Sequence, residues 1–76
     1  MCLAAAGRIL EVSGSDIERS AVVDVGGSPR PVNLAMVPDA AVGDWVKIHS
    51  GFAFEVMSAD EAAELIEITD ELGRHI

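Results

Sequence analysis

Residues 45–57 read Trp45-Val46-Lys47-Ile48-His49-Ser50-Gly51-Phe52-Ala53-Phe54-Glu55-Val56-Met57, and residues 58–61 read Ser58-Ala59-Asp60-Glu61. The first run has strand character. Val46 and Ile48 fall on one face, and Trp45, Lys47 and His49 on the other. Gly51 permits a bend, after which Phe52 to Met57 form a further strand with Phe52, Phe54 and Val56 on one side. At Ser58 the period changes from two to helical. Ser58 and Glu61 have the spacing of a capping box, in which the serine oxygen accepts from the backbone at Glu61 and the glutamate reaches back. Asp60 and Glu61 suit the positive end of a helix dipole. Ala62, Leu65, Ile66 and Thr69 then recur at helical spacing, followed by Leu72 and a stop at Gly73. This predicts a helix over about 59–72.

Working upstream, the chain continues as short strands. Pro31 to Val37 reads as a strand with Val32, Leu34 and Met36 on one side, ended by Val37-Pro38-Asp39. Gly26-Gly27-Ser28-Pro29 reads as a hairpin loop. Ser20 to Val25 and Gly7 to Val12 are two further strands, separated by the turn signal Ser13-Gly14-Ser15-Asp16. Five strands with turns between them predict a mainly β fold: a small, curled antiparallel barrel over about residues 3–57, with the helix covering an open end or edge. The expected core is Leu10, Val23, Val25, Val32, Leu34, Val46, Ile48, Phe52, Phe54 and Val56.

At 76 residues the chain makes one domain, 1–76, with room for a modest core. Half of the residues are hydrophobic, which sets it apart from disordered chains. The apolar runs are too short to span a bilayer, and the start has no signal-peptide pattern. One cysteine, Cys2, makes no internal disulfide and fits a reducing, cytoplasmic setting. Thirteen acidic residues against five basic ones, a net charge of −8, oppose binding to a phosphate backbone or an anionic membrane. Trp45, Phe52 and Phe54, the whole aromatic complement, are too few for a base-stacking platform. A protein partner or a metal is the better expectation. The acidic run from Asp60 to Glu71 reads as a solvated helix face, or alternatively as a docking surface for a basic partner.

Two residues can carry chemistry. Cys2 stands directly behind Met1, and initiator methionines are generally removed before small side chains. The mature chain is therefore expected to begin with a free amine and a thiol on one residue, groups that titrate at about pH 8 and 8.5. Together they can chelate a metal through N and S, although Cys2 also reads as the first residue of a frayed end. His49 should point outward beside Trp45, as surface, as an imidazole ligand or as an interaction anchor. Cys2 and His49 as a pair leave most positions of a metal open to other ligands. A closed zinc site lacks its paired spacing, and His75 is too near the chain end to recruit. An amine-terminal thiol nucleophile with His49 as base would need an oxyanion hole and a cleft that the sequence does not announce. Gly26-Gly27 lacks the context of a phosphate loop.

Several blocks resemble one family. Met1-Cys2-Leu3 is followed by Gly7-Arg8. Ala21-Val22-Val23-Asp24-Val25-Gly26-Gly27 leads into Val32-Asn33-Leu34-Ala35-Met36-Val37-Pro38-Asp39-Ala40. Val42-Gly43-Asp44-Trp45-Val46 runs into Ile48-His49-Ser50-Gly51-Phe52-Ala53-Phe54-Glu55-Val56. Over nearly its whole length the chain resembles the HypC/HupF family of accessory chaperones for nickel–iron hydrogenase maturation. It departs from that family at Ala6, where a proline is usual, which predicts a looser Ala4-Ala5-Ala6 segment.

The resemblance implies an OB-like β-barrel with a C-terminal helix, and a chaperone rather than an enzyme. It implies that Cys2, with His49 as second ligand or support, holds iron bearing cyanide and carbonyl ligands transiently, with no tightly bound cofactor. Cys2, Leu3, Gly7, His49, Gly51 and Phe52 would meet partners: an iron–sulfur maturation protein of the HypD type and the hydrogenase large-subunit precursor. Neither nucleic acid nor membrane is among the implied partners. The alternative from another class is a small OB-like nucleic-acid-binding protein.

Overall fold

The computed structural model describes residues 5–15 and 18–74, with side chains described through residue 68. Five strands and one helix follow in order: β1 (Ala5–Ser13), β2 (Ser20–Val25), β3 (Ser28–Asn33), β4 (Trp45–His49), β5 (Phe52–Met57) and α1 (Ala59–Arg74). The strands close into a barrel in the order β1-β2-β3-β5-β4. All pairings are antiparallel except the closing one, a parallel bridge between Asn33 and Phe52.

Two tight turns set the registers. Val25 pairs with Ser28 across Gly26-Gly27, and His49 pairs with Phe52 across Ser50-Gly51. All four loop residues have positive φ, at 59° and 89°, then 53° and 81°. This is the mirror-image geometry whose twist matches that of the strands. The first loop is shorter than the four residues expected, because Ser28 and Pro29 already belong to β3.

The barrel interior is filled by Ile9, Val23, Val32, Leu34, Val46 and Ile48, with Ala21, Val37, Ala40 and Ala53 between them. Gly7 belongs to this wall. A Cβ there would lie 2.2 Å from Val23 Cγ1 and 2.9 Å from Ile48 Cδ1, so only a glycine lets the side chains meet. Among the described residues no polar side chain is buried.

Several expected core residues lie elsewhere. Leu10 is 49% exposed, because it follows inward-facing Ile9 and so points outward; the β1–β2 register then shifts between Ile9 and Glu11, leaving Leu10 as the bulged residue. On β5 the inward residue is Ala53, whereas Phe52, Phe54 and Val56 are exposed. A second bulge sets Ile48 opposite Ala53 and Lys47 opposite Glu55, leaving Phe54 as the extra residue. The strand expected over 31–37 ends at Asn33. Beyond it Val37 donates to the Leu34 carbonyl and Ala40 to that of Val37, each at 3.0 Å. Leu34, Val37 and Ala40 thereby turn inward as a plug, and Met36 turns outward. The Arg19 guanidinium donates to the carbonyls of Pro38 and Ala40, pinning the plug from outside.

The helix begins as its sequence dictates. Glu61 N–H donates to Ser58 Oγ and Ser58 N–H to Glu61 Oε1, both at 3.1 Å. It packs on the outer wall through Ala62 and half-buried Leu65, against Ala6, Trp45 and Met57. It therefore covers the outside of β1, β4 and β5. Ile66, expected on the packed face, is 44% exposed, and the helix runs past Gly73 to Arg74. Ala6 lies in β1 opposite Lys47 and is buried under the helix, so that part of the Ala4-Ala5-Ala6 segment is held rather than loose.

Candidate functional site

The β4–β5 hairpin builds the site. His49 closes β4 on its outward face, since Val46 and Ile48 point inward. Its neighbour Ser50 is the described non-glycine residue with positive φ, and such strain concentrates at functional positions. Ser50 Oγ lies 3.2 Å from His49 Nδ1. That contact occupies one ring nitrogen and leaves Nε2 without a hydrogen bond among the described residues. The tip is anchored from behind, because Asn33 N–H donates to the Gly51 carbonyl at 2.9 Å. Asn33 is itself held, with Oδ1 accepting from Ala35 N–H at 2.7 Å. The imidazole thus stands on a turn locked to the barrel closure, the kind of rigid support a binding group needs.

Around His49 the two outward phenylalanines of β5 and the methionine of the plug converge. Met36, His49, Ser50, Phe52 and Phe54 line an open groove of about 470 Å³. Met36 is 65% exposed, Phe52 47% and Phe54 41%. Large apolar side chains gathered at one exposed place mark an interaction site. A methionine among them gives the wall a soft, adaptable surface. At its margin Lys47 pairs with Glu55 at 2.8 Å and stands 6.0 Å from the Phe54 ring centroid.

Trp45 is not part of this site. It packs at the other end of β4, under the helix, so the apolar neighbours of His49 are Phe52, Phe54 and Met36. Of the residues expected at the site, His49, Gly51 and Phe52 come together at the hairpin. Gly7 faces the interior, where packing accounts for its lack of a side chain. Cys2 and Leu3 lie outside the described residues. Among the described residues no three His, Cys, Asp or Glu side chains gather as a metal site. Met36 and Phe54 are the residues that sequence reasoning missed. The one signal for Phe54 was the two-residue spacing Ser50-Gly51, which sets His49 opposite Phe52 and turns both outward.

A closed five-strand barrel in this order, with a helix on its outer wall, is a small OB-like module carrying an exposed apolar groove. The model of the HupF/HypC family matches residues 1–69, and the chain belongs to that family. It is 39% identical over 74 residues to the hydrogenase maturation factor HypC of Azotobacter chroococcum, covering 97% of this chain and 84% of that one. It is 38% identical over 80 residues to the hydrogenase maturation factor HybG of Escherichia coli K12, covering 100% and 96%. A protein called Frd operon uncharacterized protein C, from Proteus vulgaris, is 40% identical over 77 residues, covering 96% and 79%. No helix among the described residues is long and apolar enough to cross a membrane.

Proposed function

We propose that this chain is a cytoplasmic hydrogenase maturation chaperone that carries iron with cyanide and carbonyl ligands to the large-subunit precursor of a nickel–iron hydrogenase. It acts by holding and handing over rather than by catalysis. Family membership over residues 1–69 is the observation that carries this reading.

The local geometry supports it. β1 starts with Ala5 opposite Ile48, the residue before His49. Cys2 is three residues from Ala5, a span of at most about 10–11 Å. A tether of that length is long enough for Cys2 to meet the His49 end of the barrel, where few protein ligands would leave the iron free to depart. The iron is cargo, and the apolar groove beside His49 is the surface that meets a HypD-type iron–sulfur protein first and the hydrogenase precursor second. A nucleic-acid role fits the groove poorly, because Lys47 at its edge is engaged by Glu55 and the overall charge repels phosphate.

The test is a native pull-down of tagged protein from cells making the maturation machinery, with infrared spectroscopy of the eluate. Cyanide and carbonyl stretches together with co-eluting maturation proteins are expected. An eluate that captures single-stranded RNA, with neither stretches nor maturation partners, would overturn the reading.

A further inference from the structure

Both walls of the groove beside His49 hang on one junction of the barrel, and Arg19 stands at it. The hairpin wall is tied to Asn33 through the Gly51 carbonyl, and Asn33 pairs with Ser20 at the start of β2. The other wall is Met36, on the outward side of the plug. Arg19, next to Ser20, holds the plug at both of its ends. Its carbonyl accepts from Leu34 N–H at 2.9 Å, where the plug begins. Its guanidinium donates to the carbonyls of Pro38 and Ala40, where the plug ends. Met36 lies between these two attachments.

The choice of partners is informative in a chain of this charge. At −8 the protein has carboxylates in excess, and Lys47 takes one of them, Glu55. Arg19 makes no ion pair among the described residues. It gives its donors to two neutral carbonyls of one short segment. A guanidinium presents its donors as a rigid planar fork, so it fixes the spacing of the atoms it bonds as well as holding them. A lysine ammonium is a single point on a flexible stem.

Met36 needs such a device. It is 65% exposed and takes no part in the core, which receives Leu34, Val37 and Ala40 from the same segment. Its place opposite Phe52 and Phe54 is therefore set by the backbone that carries it, and that backbone is held from Arg19.

We propose that Arg19 is a positioning residue for partner docking: by clamping both ends of the plug, it holds Met36 at the spacing from Phe52 and Phe54 that admits an apolar segment of the HypD-type maturation protein. This rests on the functional reading above and names what shapes that surface. A groove whose wall is already ordered loses less freedom on binding than one that must first be assembled.

The experiment uses the full chain as wild type, Arg19→Leu, Arg19→Lys, Met36→Ala and the double variant Arg19→Leu/Met36→Ala. Affinity for a purified HypD-type iron–sulfur protein is measured by calorimetry, alongside thermal unfolding and NMR of carbon-13 methyl-labelled methionines. Arg19→Leu and Met36→Ala should each weaken binding about tenfold, the loss of one well-placed interface side chain. The double variant should be no weaker than either single one, because both changes remove the same wall. Arg19→Lys, which can still donate to one carbonyl, should recover part of the affinity. In Arg19→Leu the Met36 methyl signal should shift and broaden, while that of Met57, buried under the helix, stays in place. A general loosening of the barrel would move both. If Arg19→Leu does not fold, Arg19→Lys takes its place in the same cycle. Wild-type affinity in folded Arg19→Leu, losses that multiply in the double variant, or an unmoved Met36 signal would overturn the proposal and leave the chaperone reading standing. A wild type that does not bind the HypD-type protein would overturn both.

Discussion

Leu34 and Phe54 show how much a residue's place matters beyond its type. Leu34 is fully buried in the barrel interior, and Leu34→Ala should cost about 2–5 kcal/mol in denaturant titration. That is a large share of the stability of so small a domain. Phe54 is 41% exposed, so Phe54→Ala should change stability by less than about 1 kcal/mol. The same substitution removes a wall of the groove and should weaken the complex with a maturation partner, measured in the same pull-down. A loss of Phe54→Ala stability matching that of Leu34→Ala would mean that the β5 register is wrong. His49→Ala belongs with Phe54→Ala. The ring is exposed, so unfolding should be nearly unchanged while hydrogenase maturation in complemented cells falls. Cys2→Ala should abolish maturation with little change in unfolding, and wild-type activity from that variant would sink the metal-carrying reading.

At the level of elements, the capping box and the hairpin turns are the parts with local causes. Ser58→Ala removes the acceptor for the Glu61 N–H and should destabilise by about 1 kcal/mol. The backbone N–H of Ser58, and then its hydroxyl, hold the Glu61 carboxyl below the usual glutamate range. A carboxyl depressed on folding adds stability above its unfolded pKa and loses it as pH falls through the folded one. Acid titration of the unfolding temperature should therefore show a step at the acidic end of the glutamate range. Glu61→Gln should flatten that step, and an unchanged profile would show that the box does not form in solution. The Ser50-Gly51 turn is a different case. Gly51 has φ 81° with open space where a Cβ would stand, so Gly51→Ala meets only backbone strain. About 1 kcal/mol of destabilisation follows, read in the same titration.

The whole molecule separates two tasks on one barrel. The helix side, with Ala6, Trp45, Met57 and Ala62, is a packed seam. The opposite end of β4 carries His49 and the groove, on a tip tied to β3 through Asn33 and Gly51. Closing the barrel by a single bridge leaves an opening without leaving a pairable edge, because Pro29 and Pro31 remove the donors.

Local chemistry is what the residue string carried. The capping box, the glycine turns, the change of period at Ser58 and the outward His49 all depend on residues within a few positions of one another. They were legible for that reason. So were the family blocks, which place Cys2 and His49 in one functional reading. The inward face of β5, the end of β3 at Asn33 and the company of His49 were not legible. Two bulges, at Leu10 and Phe54, shift the alternation, and a bulge reflects how two strands meet rather than what either strand contains. Met36 joins the groove because Leu34, Val37 and Ala40 fold in to plug the barrel, and that plug exists only once the interior it fills has formed. Such residues are decided by long-range packing, in which the barrel's closure selects one register and every side chain on the strand follows it.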